Sequence, residues 1–420
     1  MNIKFALAAL LCGVWLGSCV EGSQTLAEGG MSGTGISSGR ITGFGSIYVN
    51  GVHYDVSQAA FYRDGEQVSG QGAFSVGEFV TVAGEVQGDG VDGKASQVTF
   101  DSLLVGEVTA PATDGQSLTV MEQTVQTDDL TVLHGFEQLT ALQTGNVVEI
   151  SGVRDADGVI TASSIALLPG RQPQDGAGLK LEGRVSVFLP EQHSFQLGNL
   201  IVDYTPARLE GFLPGQTLAE GQFVQVETRQ PLQGLTLLAS RVALKNQPDY
   251  PQDTRLHLEG VVTALAAANR FTLNDQVVVV SAATRFDDLT VSDLALNMAL
   301  EVEGVVNQAG ELLAGRVAAQ HVRDGRTLTL EGNVLSLQPD QKTFTLPGGV
   351  LQVDNASMLL LGRDADQRQT TGSFASIKTG DFVRVEAVPQ SDGSLRVLRL
   401  DWGAPPTGSE PPLHGEESPH

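Results

Sequence analysis

Apolar and polar residues alternate along most of the chain, in short runs that begin just after a glycine or asparagine. One run recurs five times, and each copy has two inner apolar residues two positions apart: Val80 and Val82, Val148 and Ile150, Val224 and Val226, Leu300 and Val302, Val383 and Val385. A period of two places such side chains on one face of a β-strand and leaves the other face to solvent. The pattern therefore predicts half-buried strands.

Each run occupies the same place in a longer repeat. The repeats open with a glycine and a strand, at Gly39, Gly106, Gly183, Gly260 and Gly332. Two short strands follow, then a connection with a weak helical pattern such as Phe136, Leu139 and Leu142, then the recurring run and a last strand. Repeats of about 70 residues are domain-sized, because solenoid repeats span only about 20–50 residues.

This order of elements predicts an all-β chain, a tandem array of five small five-stranded OB-like barrels, each with a short helix between strands 3 and 4. We number the barrels as units 1 to 5 and place them at residues 39–104, 105–170, 181–246, 257–322 and 330–402. Closure suits small domains because it removes exposed strand edges that would pair between neighbours. Five open sandwiches are the rival architecture.

The N-terminus has the pattern of an export signal. Lys4 precedes an apolar stretch from Phe5 to Leu16, which at about 12 residues is too short to span a bilayer. We therefore predict a signal peptide over residues 1–18.

The residues around the predicted cleavage point resemble a bacterial lipobox. Leu16-Gly17-Ser18 leads into Cys19, the residue that receives the lipid in such signals. We predict lipidation at Cys19, a flexible Gly/Ser-rich tether over residues 19–38, and attachment to the membrane through the lipid. Val20 follows the cysteine where an Asp would mark inner-membrane retention, which favours the outer membrane.

Composition limits the partners of the protein. The chain carries 49 Asp and Glu against 25 Lys and Arg, for a formal charge of -24. Nucleic-acid binding draws most of its affinity from cations on phosphates, so this charge argues against nucleic acid. Residues 403–420 contain five prolines and are expected to form a disordered tail.

Two segments of unit 1 resemble a known family. They are GRITGFGSIYVNGVHYDVS, from Gly39 to Ser57, and VGEFVTVAGEV, from Val76 to Val86. Both are similar to the bacterial envelope family called domain of unknown function 5666. The resemblance implies secreted or lipid-anchored proteins with tandem OB-like domains, and it brings no catalytic residues.

Motifs with possible chemistry are better explained as turns. The GxGxxG spacing from Gly88 to Gly93 lies between two predicted strands, whereas phosphate loops need a helix after them. Asp155 and Asp157 resemble the start of a calcium loop that lacks its later ligands. The seven histidines show no metal-binding spacing. We therefore predict no metal, no cofactor and no enzymatic activity.

The function predicted from these features is a non-catalytic binding or scaffolding module of the cell envelope. OB barrels commonly bind ligands across strands 2 and 3, where unit 1 carries Tyr48, His53 and Tyr54. An aromatic face of this kind suits a glycan or an envelope protein. The alternatives are a hydrolase of envelope polymers with a site assembled between units, and a spacer whose number of units sets its reach.

Overall fold

The structure is a computed structural model that describes residues 33–403, apart from residues 89, 173–177, 246–249, 268, 288, 321–326 and 391–393. The predicted signal peptide, Cys19 and the tail from residue 404 lie outside these residues. Every element within the described residues is a β-strand or a three-residue 3₁₀ turn, which confirms the all-β prediction. No helix of the described part is long and apolar enough to cross a membrane.

The strands fall into five groups, one for each unit. Unit 1 contains β1 (Gly33–Phe44), β2 (Ile47–Val49), β3 (Val52–Asp55), β4 (Ala60–Arg63), β5 (Glu66–Val68), β6 (Phe79–Val86) and β7 (Asp92–Phe100). Unit 2 contains β8 (Leu104–Ala110), β9 (Ser117–Val120), β10 (Gln123–Gln126), β11 (Val132–His134), β12 (Val147–Arg154) and β13 (Ile160–Leu167).

Units 3 to 5 repeat the same order of strands. Unit 3 contains β14 (Leu179–Arg184), β15 (Ser186–Leu189), β16 (Ser194–Leu197), β17 (Leu200–Asp203), β18 (Arg208–Glu210), β19 (Phe223–Thr228), β20 (Thr236–Leu238) and β21 (Arg241–Leu244). Unit 4 contains β22 (Arg255–Ala267), β23 (Arg270–Leu273), β24 (Gln276–Val279), β25 (Arg285–Asp287), β26 (Ala299–Val306) and β27 (Leu312–Ala319). Unit 5 contains β28 (Leu328–Asn333), β29 (Ser336–Gln338), β30 (Thr343–Leu346), β31 (Gly349–Gln352), β32 (Met358–Arg363), β33 (Gln369–Thr371), β34 (Phe382–Pro389) and β35 (Leu395–Trp402).

Backbone pairing closes each unit into a barrel. In unit 1, β1 pairs with β2 and β2 with β3, β3 runs parallel to β7, and β7 returns through β6 to β1. Units 2 and 4 repeat this circuit. Units 3 and 5 repeat it with the first strand split into two pieces, and in unit 3 the last strand is split as well, into β20 and β21. The closed circuit confirms OB-like barrels over open sandwiches.

The predicted short helix between strands 3 and 4 is a single turn in four units and does not form in the described residues of unit 3. Units 1, 2, 4 and 5 have a single three-residue 3₁₀ turn there, at Gln71–Ala73, Leu139–Ala141, Val291–Asp293 and Phe374–Ser376. In unit 3 the described residues between β18 and β19 form no helix. Each connection also contains a short strand parallel to the end of the last strand: β4, β11, β18, β25 and β32. One turn is enough to bury Leu139 and Leu142.

The residue two positions before the fourth barrel strand (β6, β12, β19, β26 or β34) has the same conformation in every unit. Gly77, Gly145, Gly221, Asn297 and Gly380 have φ angles of 85°, 86°, 84°, 64° and 94°. Glycine adopts this left-handed region without strain, and asparagine is among the few other residues that tolerate it. The recurring run therefore begins at a turn that only these residue types fit well.

First strands begin earlier than predicted and extend between units. β1 begins at Gly33, so residues 33–38 of the predicted tether form a strand. Gly35–Ser38 pair in parallel with Arg255–Leu258 of β22, and β8 pairs with β14. A Cβ on Gly35 would lie 2.9 Å from the Arg255 carbonyl oxygen, so these small residues allow close approach of the backbones. We expected barrel closure to prevent strand pairing between units. The closed barrel instead leaves the upstream half of a first strand free to pair with the first strand of another unit.

Candidate functional site

Tyr48 and His53 form the outer face of the β2–β3 hairpin of unit 1. They are directly paired across the two strands, and their rings stack with centroids 4.6 Å apart. Both side chains are half-buried. The Tyr48 ring lies over Gly43, where a Cβ would approach its Cδ2 atom to 3.2 Å. The hairpin thus holds a stacked aromatic pair at the barrel surface, and its role as a ligand face stays a prediction.

Tyr54 does not belong to this face, so its assignment to the predicted ligand face is wrong. It is 1% exposed, and its hydroxyl lies 2.6 Å from the Ser37 Oγ atom. Successive residues of a strand point to opposite faces. Because His53 points outward, Tyr54 must point into the barrel, where it is paired with Ile47.

A carboxylate adjoins the aromatic pair. The Asp92 Oδ1 atom lies 3.0 Å from the His53 Nδ1 atom, and the His53 N–H donates to the Val91 carbonyl. Partial burial and the charge of Asp92 raise the pKa of Tyr48. This cluster of Tyr48, His53 and Asp92, which we call the outer aromatic patch, offers a stacking surface beside hydrogen-bonding groups.

The outer aromatic patch is specific to unit 1 among the five hairpins. The residues paired at the same position in units 2 to 5 are Thr119 with Thr124, Gln196 with Ile201, Thr272 with Val277, and Thr345 with Val350. One position further from the turn, the inward-facing pair is buried and hydrophobic in every unit. Barrel packing therefore constrains the inward position, whereas the outward position is free to carry a function.

Between units 1 and 2, one arginine holds two buried carboxylates. The Arg63 guanidinium bonds to both Glu78 and Glu149, and it stacks over the Phe100 ring with 4.1 Å to the centroid. Burial raises the pKa of Glu78 to about 7, with a further contribution from Glu149, although Arg63 opposes the shift. Burial also raises the pKa of Glu149. The group links the two barrels through charge.

A small polar cavity lies where units 1, 2 and 4 meet. Arg40 lines it and pairs with Glu259 at 2.7 Å, and Asp128 and Thr161 line it from unit 2. The Arg40 Nη1 atom and the Thr161 Oγ1 atom are buried and have no hydrogen-bond partner among the described residues. Buried polar cavities usually hold water. Glu259 already pairs with Arg40 and Asp128 adds a second negative charge nearby, so the cavity suits water better than an anion.

His257, Glu301 and Glu303 lie close enough together to resemble a metal site. The Arg316 Nη1 atom, however, lies 2.7 Å from Glu301 and 2.8 Å from Glu303. Burial is the largest single effect and lowers the pKa of His257, but the hydrogen bond to Glu301 and the charges of Glu301 and Glu303 together raise it. The cluster is therefore an ion-pair network in which arginine supplies the positive charge.

Sequence reasoning missed these buried charges. Four charged or titratable side chains of β14 and β22 are at most 7% exposed: Lys180, Glu182, His257 and Glu259. Each directly follows an inward-facing leucine, so the alternation of the strand predicts that it points to solvent. The Lys180 Nζ atom lies 2.8 Å from Asp64 of unit 1. Their burial results from contacts between units, which a pattern within one strand does not record.

Two motifs judged to be turns are turns in the structure. Gly93 of the GxGxxG spacing lies in β7 opposite Val86 of the antiparallel β6, and between the two strands the Gly90 N–H donates to the Gln87 carbonyl. The Asp155 Oδ1 atom accepts hydrogen bonds from the backbone N–H groups of Asp157 and Val159. Its carboxylate thus stabilises the β12–β13 turn.

Comparisons with known proteins agree with the repeats. A family model described as "Domain of unknown function (DUF5666)" matches residues 36–98, 105–166, 259–318 and 331–399, more than half of the chain. Unit 3 lies outside these matches but shares their strand pairing. A similar solved structure is described as "drosophila Unr CSD456", with 14% identity, coverage of 52% of this chain and 98% of that chain, and a TM-score of 0.14. The comparison with curated proteins returned no match. On the four family matches, this chain belongs to the family of the domain of unknown function DUF5666.

Proposed function

We propose that the protein is a lipid-anchored, non-catalytic binding and scaffolding module of the cell envelope, held at the outer membrane through Cys19. The observation that carries the scaffolding part is the interlocking of the barrels around unit 1. The binding part rests on the outer aromatic patch, and the location rests on the lipobox-like sequence.

Unit 1 makes polar contacts with each of the other units. It reaches unit 2 through Arg63 and Glu149, and unit 3 through Asp64 and Lys180. It reaches unit 4 through the pairing of β1 with β22, and unit 5 through a hydrogen bond from Thr42 to the Asn355 carbonyl. A body built around one unit favours a scaffold over a spacer, because the reach of a spacer needs units arranged in a row.

The acids between units support a non-catalytic role. Glu78 and Glu149 share Arg63, and Glu259 is paired with Arg40. A hydrolase of envelope polymers would need acids that reach a substrate and are not already held by cations. The outer aromatic patch is the better place for a glycan or protein ligand, since aromatic rings stack on sugar and peptide groups.

Membrane attachment is tested by replacing the predicted lipidated residue. Cys19→Ser should abolish incorporation of an alkyne fatty acid and move the protein out of the detergent-extracted membrane fraction. Cys12→Ser is the matched control, because Cys12 lies in the predicted signal peptide and should not carry lipid. Unchanged labelling and fractionation of Cys19→Ser would exclude the anchor.

Ligand binding is tested at the outer aromatic patch. Tyr48→Ala combined with His53→Ala should reduce cosedimentation with purified peptidoglycan, or cross-linking to an envelope protein in cells, by several-fold, since aromatic contacts contribute about 0.5–1.5 kcal/mol each. Thr119→Ala with Thr124→Ala changes the equivalent pair of unit 2 and should leave capture intact. Equal capture by both double variants would exclude the patch as a binding face.

A further inference from the structure

The upstream half of each first strand has one edge that the barrel does not use. In unit 4, residues Arg255–Val261 of β22 pair with β26, and the rest of the strand pairs with β23. The opposite edge of the upstream half pairs with the same part of β1 in unit 1. The upstream half of β8 in unit 2 pairs with β14 of unit 3, there in antiparallel fashion and over two residue pairs. Four units thus cover this edge in two pairs, each made between corresponding strands.

Unit 5 has no unit left to pair with. In the described part of the chain, β28 has β34 as its single strand neighbour and lies at the end of its sheet. An uncovered strand edge presents backbone groups that can pair with another chain.

The sequence of β28 closely matches those of two covered first strands. Units 3, 4 and 5 carry the segments LKLEG from Leu179, LHLEG from Leu256 and LTLEG from Leu328. Each segment pairs with the fourth barrel strand of its unit (β19, β26 or β34) in the same register. Leu179 lies opposite Thr228, Leu256 opposite Gly304 and Leu328 opposite Ala387. The three segments therefore occupy equivalent positions in their barrels.

Exposure separates the three segments. Leu179 and Leu256 are both 0% exposed, whereas Leu328 is 44% exposed. The glutamate three residues after each of these leucines is buried in units 3 and 4, where it is Glu182 and Glu259. In unit 5 it is Glu331, which is exposed. The LxLEG segment is therefore buried between barrels in units 3 and 4. In unit 5 the described residues leave the same segment exposed.

We propose that two copies of the chain associate through β28, edge to edge, so that the first strand of each unit 5 covers the other. A second copy is favoured over a foreign strand because both pairings within the chain join corresponding strands. An odd number of units leaves one edge over in each copy, and a twofold axis joins two such edges in a closed dimer. Glu331 and Arg384 lie 3.7 Å apart in unit 5, so one negative and one positive side chain lie beside the proposed β28–β28 contact.

The test compares two leucines of unit 5. Leu328→Lys puts a charge on the edge, a change that discourages pairing of strands. Leu335→Lys is the matched control, because Leu335 is 56% exposed but lies between β28 and β29. The full chain carrying Cys19→Ser, which removes the predicted lipid, is the parent for both variants. Mass by light scattering after gel filtration is measured at about 0.15 M salt, and amide exchange is followed over residues 328–331.

The parent and Leu335→Lys should be dimers with slow amide exchange in β28. Leu328→Lys should raise the dissociation constant about tenfold or more, as expected for a residue central to an interface, and should speed exchange in β28. Far-UV circular dichroism identical to the parent shows that the variant is folded. A monomeric parent would overturn the proposal, whether β28 exchanges rapidly or is protected by another part of the chain. A dimer that Leu328→Lys leaves unchanged would also overturn it.

Discussion

His134 lies at the point where units 1, 2 and 5 meet. Its Nε2 atom donates to the Val76 carbonyl at 2.9 Å, and its Nδ1 atom accepts from the Gln369 N–H at 3.2 Å. One nitrogen donates and the other accepts, so the ring is neutral in the folded protein. Burial lowers the pKa of His134 to about 4, and the charges of Arg363 and Arg368 act in the same direction.

This histidine should make stability depend on pH. The unfolded chain binds a proton at His134 below pH about 6.5, whereas the folded chain does not until pH about 4. The stabilising contribution is therefore complete above pH 6.5 and declines as pH falls toward 4, by on the order of 3 kcal/mol. Urea unfolding at pH 7, 5.5 and 4.5 measures the decline.

His134→Gln isolates this contribution from the titration of the many acids. Glutamine keeps a donor and an acceptor but does not titrate in this range. Its urea midpoint should fall less between pH 7 and pH 4.5 than that of the parent chain. Parallel declines in the two proteins would show that His134 does not titrate as described.

At this scale the sequence predicted inward apolar residues well and buried charges poorly. The alternation that places Val80 and Val82 in the core also places Tyr54 there, so that error was avoidable from strand period alone. Lys180 and Glu259 differ, since they are buried by residues of other units. Nothing in the local pattern distinguishes them from solvated strand residues.

At the scale of elements, the first strand has two functions along its length. Its downstream half closes the barrel, and its upstream half joins barrels in units 1 to 4. In unit 1 the joining half includes Gly35, Ser37 and Ser38. The pairing uses backbone groups, and glycine and serine show no alternation, so the sequence indicated a tether where a strand forms.

Gly35 should be sensitive to the addition of one methyl group. A Cβ there would lie 2.9 Å from the Arg255 carbonyl oxygen and 3.3 Å from the Arg255 Cβ atom. Gly35→Ala should therefore destabilise the protein by about 1–3 kcal/mol, the usual cost of overpacking. Urea unfolding measures the loss, and amide exchange should become faster in β1 and β22.

Gly72 of the same unit provides the control. A Cβ there would meet nothing within 4 Å, so Gly72→Ala should change the free energy of unfolding by no more than about 1 kcal/mol. If Gly35→Ala is as stable as Gly72→Ala, the close approach of β1 to β22 is not a feature of the protein in solution.

At the scale of the whole molecule, the barrels share buried contacts. One apolar core extends through units 2 and 3, and a smaller cluster joins Val76 of unit 1, Val132 of unit 2 and Met358 of unit 5. Small barrels bury little surface alone, so these contacts stabilise each unit through its neighbours. The sequence predicted five units, but the pairing of units 1 and 4 joins segments too distant for a repeat pattern to predict.

Unfolding should therefore be cooperative across the units. Trp402 lies in unit 5, where its Nε1 atom donates to Asp381, and Trp15→Phe would leave it as the sole tryptophan. Its fluorescence reports unit 5, while far-UV circular dichroism reports all strands. The two urea transitions should coincide, because an all-or-none transition appears the same to every probe.

Removing the links to unit 5 should separate the two signals. The Arg363 and Arg399 Nη1 atoms each donate to the backbone of unit 2, at 2.9 Å from the Leu133 and Thr131 carbonyl oxygens. With both arginines replaced by alanine, the Trp402 transition should move to lower urea than the circular dichroism transition. Lys378→Ala, in a loop of unit 5, should leave them coincident. Separate transitions in the parent chain would mean that unit 5 folds independently, and the protein would then be a chain of barrels that unfold one by one.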